Sequence, residues 1–284
     1  MRRKIQHEQF QLLVMCIPYI LGLLTFQVYP FLKSIYLSFF DGTQNMRFVG
    51  LRNYVDLLCN KAFLIALKNS GLFYVISLPI LVFVPLILAY LLRSNARLRA
   101  LLERVAFLLF LIPSSAFSTF LEIFFSERGY FSKILSVNLY SSDYTFFLLV
   151  IFFVFKYSGV NFLIYVLAIE RLPVEFFFEA SINGATSIQT FRYVVFPATT
   201  RAVWITLAIS LMNSHKIYRE AFIIGGRYPH NSIYFLQHFI HNNLLNLRYN
   251  HLCAATTILV LGILLLTIII FGVCKIWEKL RKIL

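Results

Sequence analysis

Two polar side chains, Lys156 and Asn161, interrupt one of the longest apolar runs of this sequence. An ammonium group and a carboxamide this close together could hydrogen-bond the hydroxyl groups of a polar solute. A charge in the middle of an apolar helix is costly unless it faces water or a partner group. Lys156 could therefore line a solute path, or it could pair with Glu122 or extend its charge to the end of the run. The residue types leave these interpretations open.

A second polar group follows a shorter apolar segment, and its members are Asn213, Ser214, His215, Lys216, Arg219 and Glu220. These side chains could line the outward half of a solute path or contact a partner protein. They could equally form a solvated turn. Four residues are thus candidate path residues: Lys156, Asn161, Asn213 and Lys216.

Five histidines lie in the same part of the chain, at His215, His230, His238, His241 and His251. Because His238 and His241 are three residues apart, they could share one face of a helix and bind zinc. Zinc sites usually add cysteine or carboxylate ligands at characteristic spacings, and none accompanies this pair. We therefore interpret the histidines as polar loop residues and expect this chain to bind no metal and no cofactor.

Residues 179–185, with the sequence Glu-Ala-Ser-Ile-Asn-Gly-Ala, form a distinctive polar segment between two apolar runs. Pro173 predicts a helix start, since proline suits the first turn, and Gly184 predicts a left-handed helix stop. Thr186 and Gln189 have the spacing of a capping box, which begins a new helix. The pattern therefore predicts a helix, a glycine turn and a second helix, presented to water as a docking element.

The composition indicates an integral membrane protein with an all-α fold. Of the 284 residues, 60% are hydrophobic and only 13% are charged, and the mean hydropathy is +0.77. A soluble domain needs more charge to cover its surface. The formal net charge is +14, but the basic residues are scattered between apolar runs. They indicate membrane topology and lipid contact rather than nucleic-acid binding.

About six transmembrane helices are predicted, because a helix needs about 20 apolar residues to cross a bilayer. The predicted spans are residues 12–32, 69–92, 105–125, 144–169, 202–214 with flanks of unclear extent, and 252–276.

Short basic segments indicate the cytoplasmic side of a membrane protein. Four such groups fall on one side of the six-span arrangement: Arg2, Arg3 and Lys4; Arg93, Arg97, Arg99 and Arg104; Arg171, Arg192 and Arg201; and Lys275, Lys279, Arg281 and Lys282. The opposite side also carries basic residues, but on the longer segment 33–68. Both termini and the segment 179–185 are therefore expected in the cytoplasm.

Three regions follow from this arrangement. Residues 1–68 contain the N-terminal tail, the first span and an extracytoplasmic segment. Residues 69–276 form the main transmembrane domain, with a cytoplasmic docking loop near 171–197. Residues 277–284 form a basic cytoplasmic tail.

The sequence lacks the motifs of nucleotide-binding and hydrolytic enzymes. It has no G-x-x-x-x-G-K-[ST], no G-x-S-x-G, no H-E-x-x-H and no G-x-G-x-x-G. The chain therefore has no Walker-type loop for ATP, and we expect no catalytic role. Paired carboxylates inside apolar runs, which ion-coupled carriers often use, are also missing from the sequence pattern.

The segment 179–185, followed by Phe191 and Pro197, resembles the EAA loop of binding-protein-dependent ABC importer permeases. More narrowly, the chain is similar to the carbohydrate-import permeases of the maltose and glycerol-phosphate branch. Supporting motifs occur in the family's order along nearly the whole chain: Tyr29-Pro30, Phe48-Val49-Gly50-Leu51-x-Asn53-Tyr54, Leu111-Ile112-Pro113, Leu172-Pro173 and Gly225-Gly226.

The resemblance implies a type-1 ABC importer transmembrane domain in a bacterial plasma membrane, with a sugar or oligosaccharide as substrate. It implies a cytoplasmic ATPase that binds ATP and Mg, a second and different permease subunit, and an extracytoplasmic solute-binding protein. The residues implied to dock on the ATPase are Glu179, Ala180, Ser181, Asn183, Gly184 and Ala185.

The chain departs from the family pattern at four positions. Ser181 and Asn183 stand where the family usually has alanine and aspartate, and both are compatible with a helix followed by a glycine turn. Ile224 and Arg227 replace a threonine and a glycine near the last span, which weakens any inference of solute contact there. Two other classes of function remain open: a membrane assembly protein without transport, and an ion-coupled carrier.

Overall fold

The computed structural model describes residues 14–41, 46–126, 129–135 and 142–281. Within these ranges, four helices are long and apolar enough to cross a membrane, and the number rises to six if each of two bent helix pairs is one span. The prediction of an all-α membrane protein is thereby confirmed. The basic residues Arg2, Arg3, Lys4 and Lys282, which contributed to the predicted topology, lie outside the described residues.

The described elements, apart from short 3₁₀ turns, are α1 (Val14–Leu37), β1 (Phe40–Asp41), β2 (Arg47–Phe48), α2 (Arg52–Leu58), α3 (Lys61–Leu91), α4 (Ala96–Leu111), α5 (Ser114–Phe125), α6 (Tyr130–Leu135), α7 (Tyr144–Glu170), α8 (Val174–Ile182), α9 (Ser187–Ala198), α10 (Thr200–Ser214), α11 (Ile217–Gly225), α12 (Leu236–Leu245) and α13 (Tyr249–Arg281).

The chain forms two compact units. One lies within Met1–Leu64 and Phe239–Leu284, and the other is Ile65–His238. In the first unit, α1 and α2 pack on α13, and β1 pairs antiparallel with β2 so that Phe40 lies opposite Phe48.

The motif at residues 48–54 closes a compact turn in the first unit. Gly50 has a φ of +57°, a conformation that glycine adopts without steric cost. The buried Asn53 amide donates to the carbonyl oxygens of Ser38 at 2.8 Å and Phe40 at 2.9 Å. The hydroxyl groups of Tyr54 and Ser38 lie 2.6 Å apart. This motif is therefore held by hydrogen bonds as well as by the packing of Tyr54 on Phe39 and of Phe48 on Phe40.

Side chains of α3, α4, α7, α9 and α10 form a hydrophobic core in the second unit, including Leu86, Ala106, Tyr165 and Val195. Helices α4 and α7 approach each other closely at Gly159. A Cβ atom at this position would lie 2.7 Å from the Ala106 carbonyl oxygen. Glycine at residue 159 therefore permits the contact between these two helices.

The predicted third span, residues 105–125, is wrong as a single helix. Helix α4 ends at Leu111, and α5 begins at Ser114, with an angle of 101° across the break. Pro113 disfavours a helical conformation for the residue before it, and Ile112 has an extended ψ of 120°. The proline thus divides the predicted span into two helices.

The predicted fifth span, residues 202–214, also belongs to a bent pair. Ser187–Ala198 and Thr200–Gly225 meet at 73°, and a π-helical turn at Phe191–Val195 precedes the bend. The two flanks whose extent was unclear from the sequence are both helical. The remaining predicted spans correspond to α1, α3, α7 and α13, with helix ends that differ by several residues.

Candidate functional site

The segment 179–185 folds as the sequence predicts, as the end of α8 followed by a glycine turn. Gly184 has a φ of +68°. Its N–H group donates to the Ser181 carbonyl oxygen at 3.1 Å. The Ala185 N–H group donates to the Ala180 carbonyl oxygen at 2.9 Å. This pair of bonds is the Schellman motif, which satisfies the last carbonyl groups of a helix. The turn is therefore closed by its own backbone.

A capping box begins α9 directly after this turn. The Gln189 N–H group donates to the Thr186 hydroxyl oxygen at 3.3 Å, and the Thr186 N–H group donates to the Gln189 side-chain oxygen at 2.8 Å. The two backbone donors at the helix start are thereby satisfied reciprocally. The predicted helix, turn and helix are confirmed as local structure, and we name residues 174–190 the docking element.

The two departures from the usual loop both support the end of α8. The Ser181 hydroxyl donates to the Phe178 carbonyl oxygen at 2.7 Å, and the Asn183 amide donates to the Glu179 carbonyl oxygen at 2.9 Å. The Glu179 carbonyl oxygen also accepts from the backbone N–H group of Asn183 at 3.1 Å, so these side-chain bonds add to the backbone bonds of the last turn. Both replacements are therefore compatible with the turn geometry, as expected from their size and polarity.

The docking element exposes large apolar side chains. Phe178 is 65% exposed and Ile188 is 79% exposed. Val174 and Ile182 are also exposed, while Glu175 and Glu179 add negative charge to the same helix. A contiguous exposed apolar surface with polar residues beside it is typical of a protein interaction site.

Arg93 connects the docking element to α3. Its guanidinium group lies 4.3 Å from the ring centroid of Tyr90 and 4.8 Å from that of Phe177. The Tyr90 hydroxyl donates to the Ser187 carbonyl oxygen at 2.9 Å, and its ring lies 5.3 Å from that of Phe191. Helices α8 and α9 are thus both held against the end of α3, and we name Tyr90, Arg93 and Phe177 the aromatic clamp.

The sequence interpretation did not identify the aromatic clamp. Arg93 was read only as a charge that marks the cytoplasmic side. The signal available was its position directly after the end of the predicted span 69–92, together with an aromatic residue three positions before it. Its second partner, Phe177, lies 84 positions further on in the sequence, so the three-residue contact required the fold.

Lys156 forms a buried ion pair with Glu220. The distance from Nζ to Oε1 is 3.1 Å, and the two residues are 6% and 3% exposed. This acidic partner differs from Glu122, the one considered from the sequence. The interpretation of residues 213–220 as a solvated turn is wrong for Glu220, because α11 turns its side chain inwards. The sequence pattern lacks paired carboxylates inside apolar runs, and Glu220 is a buried carboxylate whose partner is a lysine.

Asn161 is 1% exposed. Its amide group donates to the Leu81 carbonyl oxygen at 2.7 Å and to the Ser210 hydroxyl at 2.8 Å. It therefore joins α7 to α3 and α10. In this conformation Lys156 and Asn161 both lie inside the unit, and their contact with a solute stays a prediction.

Asn213 and Lys216 lie together at the junction of α10 and α11. The Lys216 ammonium donates to the Asn213 side-chain oxygen at 2.8 Å. Asn213 is buried, whereas Lys216 is exposed. Their role in a solute path also stays a prediction.

His238 is buried rather than a polar loop residue. Its Nδ1 atom accepts a hydrogen bond from the Phe235 N–H group at 3.1 Å. Its ring lies 4.7 Å from Tyr218 and 5.6 Å from Tyr234. Within residues 14–41, 46–126, 129–135 and 142–281, no group of three or more histidine, cysteine or acidic residues is placed to hold a metal ion.

Helices that are long and apolar enough to cross a membrane, together with an exposed helix, turn and helix, define the chain as an integral membrane protein. The family model for the binding-protein-dependent transport system inner membrane component matches residues 81–282. The chain belongs to this family, as the match covers well over half of its length. The resemblance found in the sequence is confirmed. The chain therefore has a transport role, which replaces the two alternatives considered from the sequence, an assembly protein and an ion-coupled carrier.

Curated relatives match most of the chain. The arabinooligosaccharides transport system permease protein AraP of Halalkalibacterium halodurans is 28% identical over 221 residues, which cover 74% of this chain and 70% of AraP. The lactose transport system permease protein LacF of Rhizobium radiobacter is 27% identical over 231 residues, covering 76% of this chain and 77% of LacF.

Two solved structures have the same fold. One is a bacterial ABC transporter involved in the import of the acidic polysaccharide alginate, which matches with a TM-score of 0.76 at 19% identity and covers 92% of this chain and 94% of its own. The second is the bacterial alginate ABC transporter in complex with alginate pentasaccharide-bound periplasmic protein, with a TM-score of 0.74 at 20% identity, covering 93% of this chain and 94% of its own.

Proposed function

We propose that this chain is the permease subunit of an ATP-driven importer for a sugar or oligosaccharide. Its membership of the binding-protein-dependent transport family carries the transport role. The carbohydrate class is supported by relatives that transport arabinooligosaccharides and lactose, and by another described as a probable permease for starch degradation products. The chain itself contributes no catalytic group, since ATP and Mg belong to a partner ATPase.

The docking element is the proposed contact with that ATPase. Residues Glu179, Ala180, Ser181, Asn183, Gly184 and Ala185 would enter a cleft on the ATPase surface, with the exposed apolar side chains of α8 packed beside them. The support is structural: the segment is preformed, exposed and apolar, and it carries its own caps. A second, different permease subunit and an extracytoplasmic solute-binding protein complete the proposed assembly.

The proposed topology places the docking element and both termini in the cytoplasm. The basic residues that flank the element, Arg171, Arg192 and Arg201, support this orientation. The candidate path residues Lys156, Asn161, Asn213 and Lys216 would then lie on the far side of the element from the ATPase, in the membrane or at its outer surface.

The proposed mechanism is alternating access driven through the docking element. When ATP binding closes the ATPase pair, the element moves with the ATPase surface. Phe177 and Ser187 contact Arg93 and Tyr90, so the displacement reaches α3 through the aromatic clamp. A conformational change of this kind requires the ATPase to contact the element differently in its two states.

Replacement of Gly184 by valine tests the docking assignment. A β-branched side chain is strained at a φ of +68°, so the Schellman turn should be lost. The variant, co-expressed with its ATPase and second permease, should insert normally but lose co-purification of the ATPase and uptake into ATP-loaded proteoliposomes. Arabinotriose, lactose and maltotriose serve as the transport probes.

Gly50→Val is the matched control, because Gly50 also has a positive φ and an open environment but lies in the turn after β2. It should retain the ATPase. Normal ATPase co-purification by Gly184→Val would contradict the docking assignment. A complex could hydrolyse ATP and respond to its binding protein but take up none of the three sugars. That result would contradict the carbohydrate class and leave the docking assignment standing.

A further inference from the structure

The four arginines between α3 and the middle of α4 have two different environments. Arg93 belongs to the aromatic clamp, and Arg99 pairs with Glu170 at 2.8 Å and Glu103 at 3.4 Å. Arg97 and Arg104 are exposed. Across the described part of the chain, no acidic residue forms an ion pair with either of them. Two arginines are therefore structural, and two are available to a ligand.

Arg97 and Arg104 line the same groove on α4. The groove is shallow and open to its surroundings, and its other lining residues, all on α4, are Ala96, Ala100 and Leu101. Positions seven apart lie on one face of a helix, about 10 Å apart along its axis. Ala100, which lies between the two arginines on this face, has a small side chain that does not fill the space beside them. The groove thus presents two cationic groups to one anionic ligand.

The same helix face continues as an apolar row. Leu101, Leu108 and Leu111 are all more than half exposed. Leu101 lies between the two arginines, and Leu108 and Leu111 follow them at helical spacing along α4. A soluble anion would gain nothing from contact with this apolar row, whereas a phospholipid has an anionic head and an apolar tail that match the two parts of the face. The nearby carboxylates, Glu103 and Glu170, are engaged by Arg99 and do not neutralise the groove.

We propose that Arg97 and Arg104 bind the phosphodiester headgroup of an anionic phospholipid, whose acyl chain lies along Leu101 and Leu108. Arginine recognises phosphate oxygens through paired N–H donors, and basic residues beside a membrane helix bind anionic headgroups. The site lies outside the docking element, the aromatic clamp and the candidate path residues. It gives the permease a specific lipid contact next to the end of α3.

Native mass spectrometry of the full chain in detergent tests this site, with phosphatidylglycerol as ligand and phosphatidylcholine as the neutral comparison. The double variant Arg97→Gln/Arg104→Gln should bind phosphatidylglycerol roughly 30-fold more weakly, because each basic residue near an anionic headgroup strengthens association by about fivefold. Binding of phosphatidylcholine should not change. The matched control is Arg47→Gln/Arg52→Gln, which removes the same charge from two other exposed arginines.

Three outcomes would overturn the proposal. Equal phosphatidylglycerol affinity in the double variant and the control would exclude a site at Arg97 and Arg104. Displacement of the lipid by millimolar glycerol phosphate would assign the groove to a soluble phosphate compound. If the double variant keeps its lipid affinity but loses the co-purified ATPase or second permease, this face is a protein interface instead.

Discussion

The side-chain amide of Asn161 donates a hydrogen bond to the carbonyl oxygen of Leu81, four residues before Pro85 in α3. In a regular helix this carbonyl accepts from the N–H group of residue 85, but proline has none. Asn161 therefore supplies the donor that Pro85 removes. In a membrane interior, where water cannot replace the missing bond, such compensation allows a proline inside a spanning helix.

This relationship predicts that Asn161→Ala destabilises the protein by about 1–3 kcal/mol, the cost of an unsatisfied buried carbonyl. The free energy of unfolding can be measured by titration with sodium dodecyl sulfate. In the Asn161→Ala background, Pro85→Ala should recover part of the loss, because residue 85 regains its N–H group. Strictly additive effects of the two substitutions would contradict the compensation.

The Lys156–Glu220 ion pair predicts an asymmetry between single and double substitutions. Lys156→Met or Glu220→Leu alone should cost about 3–5 kcal/mol, because each leaves one charged partner buried and unpaired. The double variant Lys156→Met/Glu220→Leu should cost much less than the sum. Sodium dodecyl sulfate titration of all three proteins measures this coupling, and a double variant as unstable as the sum would exclude a structural role for the pair.

The close approach of α4 and α7 predicts that Gly159→Ala is destabilising by about 1–3 kcal/mol, since the added methyl group would overlap the Ala106 backbone. Gly71→Ala is the matched control within α3, where an added Cβ atom meets nothing within 4 Å. The control should be neutral or slightly stabilising, because alanine favours a helix. Equal unfolding midpoints for the two variants would argue against tight packing at Gly159.

The aromatic clamp predicts that Arg93→Gln uncouples ATP hydrolysis from transport. The stacking of Arg93 on Tyr90 and Phe177 holds α8 against α3, and each such contact contributes about 0.5–2 kcal/mol. The ATPase should still co-purify, but uptake per ATP hydrolysed should fall severalfold. Arg192→Gln removes the same charge from an exposed arginine that stacks on its neighbour Tyr193, and it should retain coupling.

Local patterns in the sequence predicted local structure well. The turn at Gly184 and the capping box at Thr186 depend on residues within five positions of each other, so their composition determines their geometry. The helix, turn and helix were therefore predictable from the sequence, and the resemblance of the chain to its family was confirmed.

Contacts between distant residues were not predictable in the same way. Lys156 and Glu220 are 64 residues apart, and Asn161 and Leu81 are 80 apart. No spacing rule joins such positions, because the packing of whole helices decides which side chains meet. The break at Pro113 had a local signal, but the continuous apolar composition around it concealed the division of the span.

The two caps of the docking element have a mechanical consequence. Its turn is closed by the Schellman bonds and its next helix by the capping box, so the segment has its final shape before any partner binds. In the proposed contact with the ATPase, binding would therefore cost little conformational entropy, because the segment is already ordered. In the proposed assembly, a displacement of the ATPase surface at Gly184 would therefore reach Tyr90 and Arg93 through a segment closed by its own hydrogen bonds.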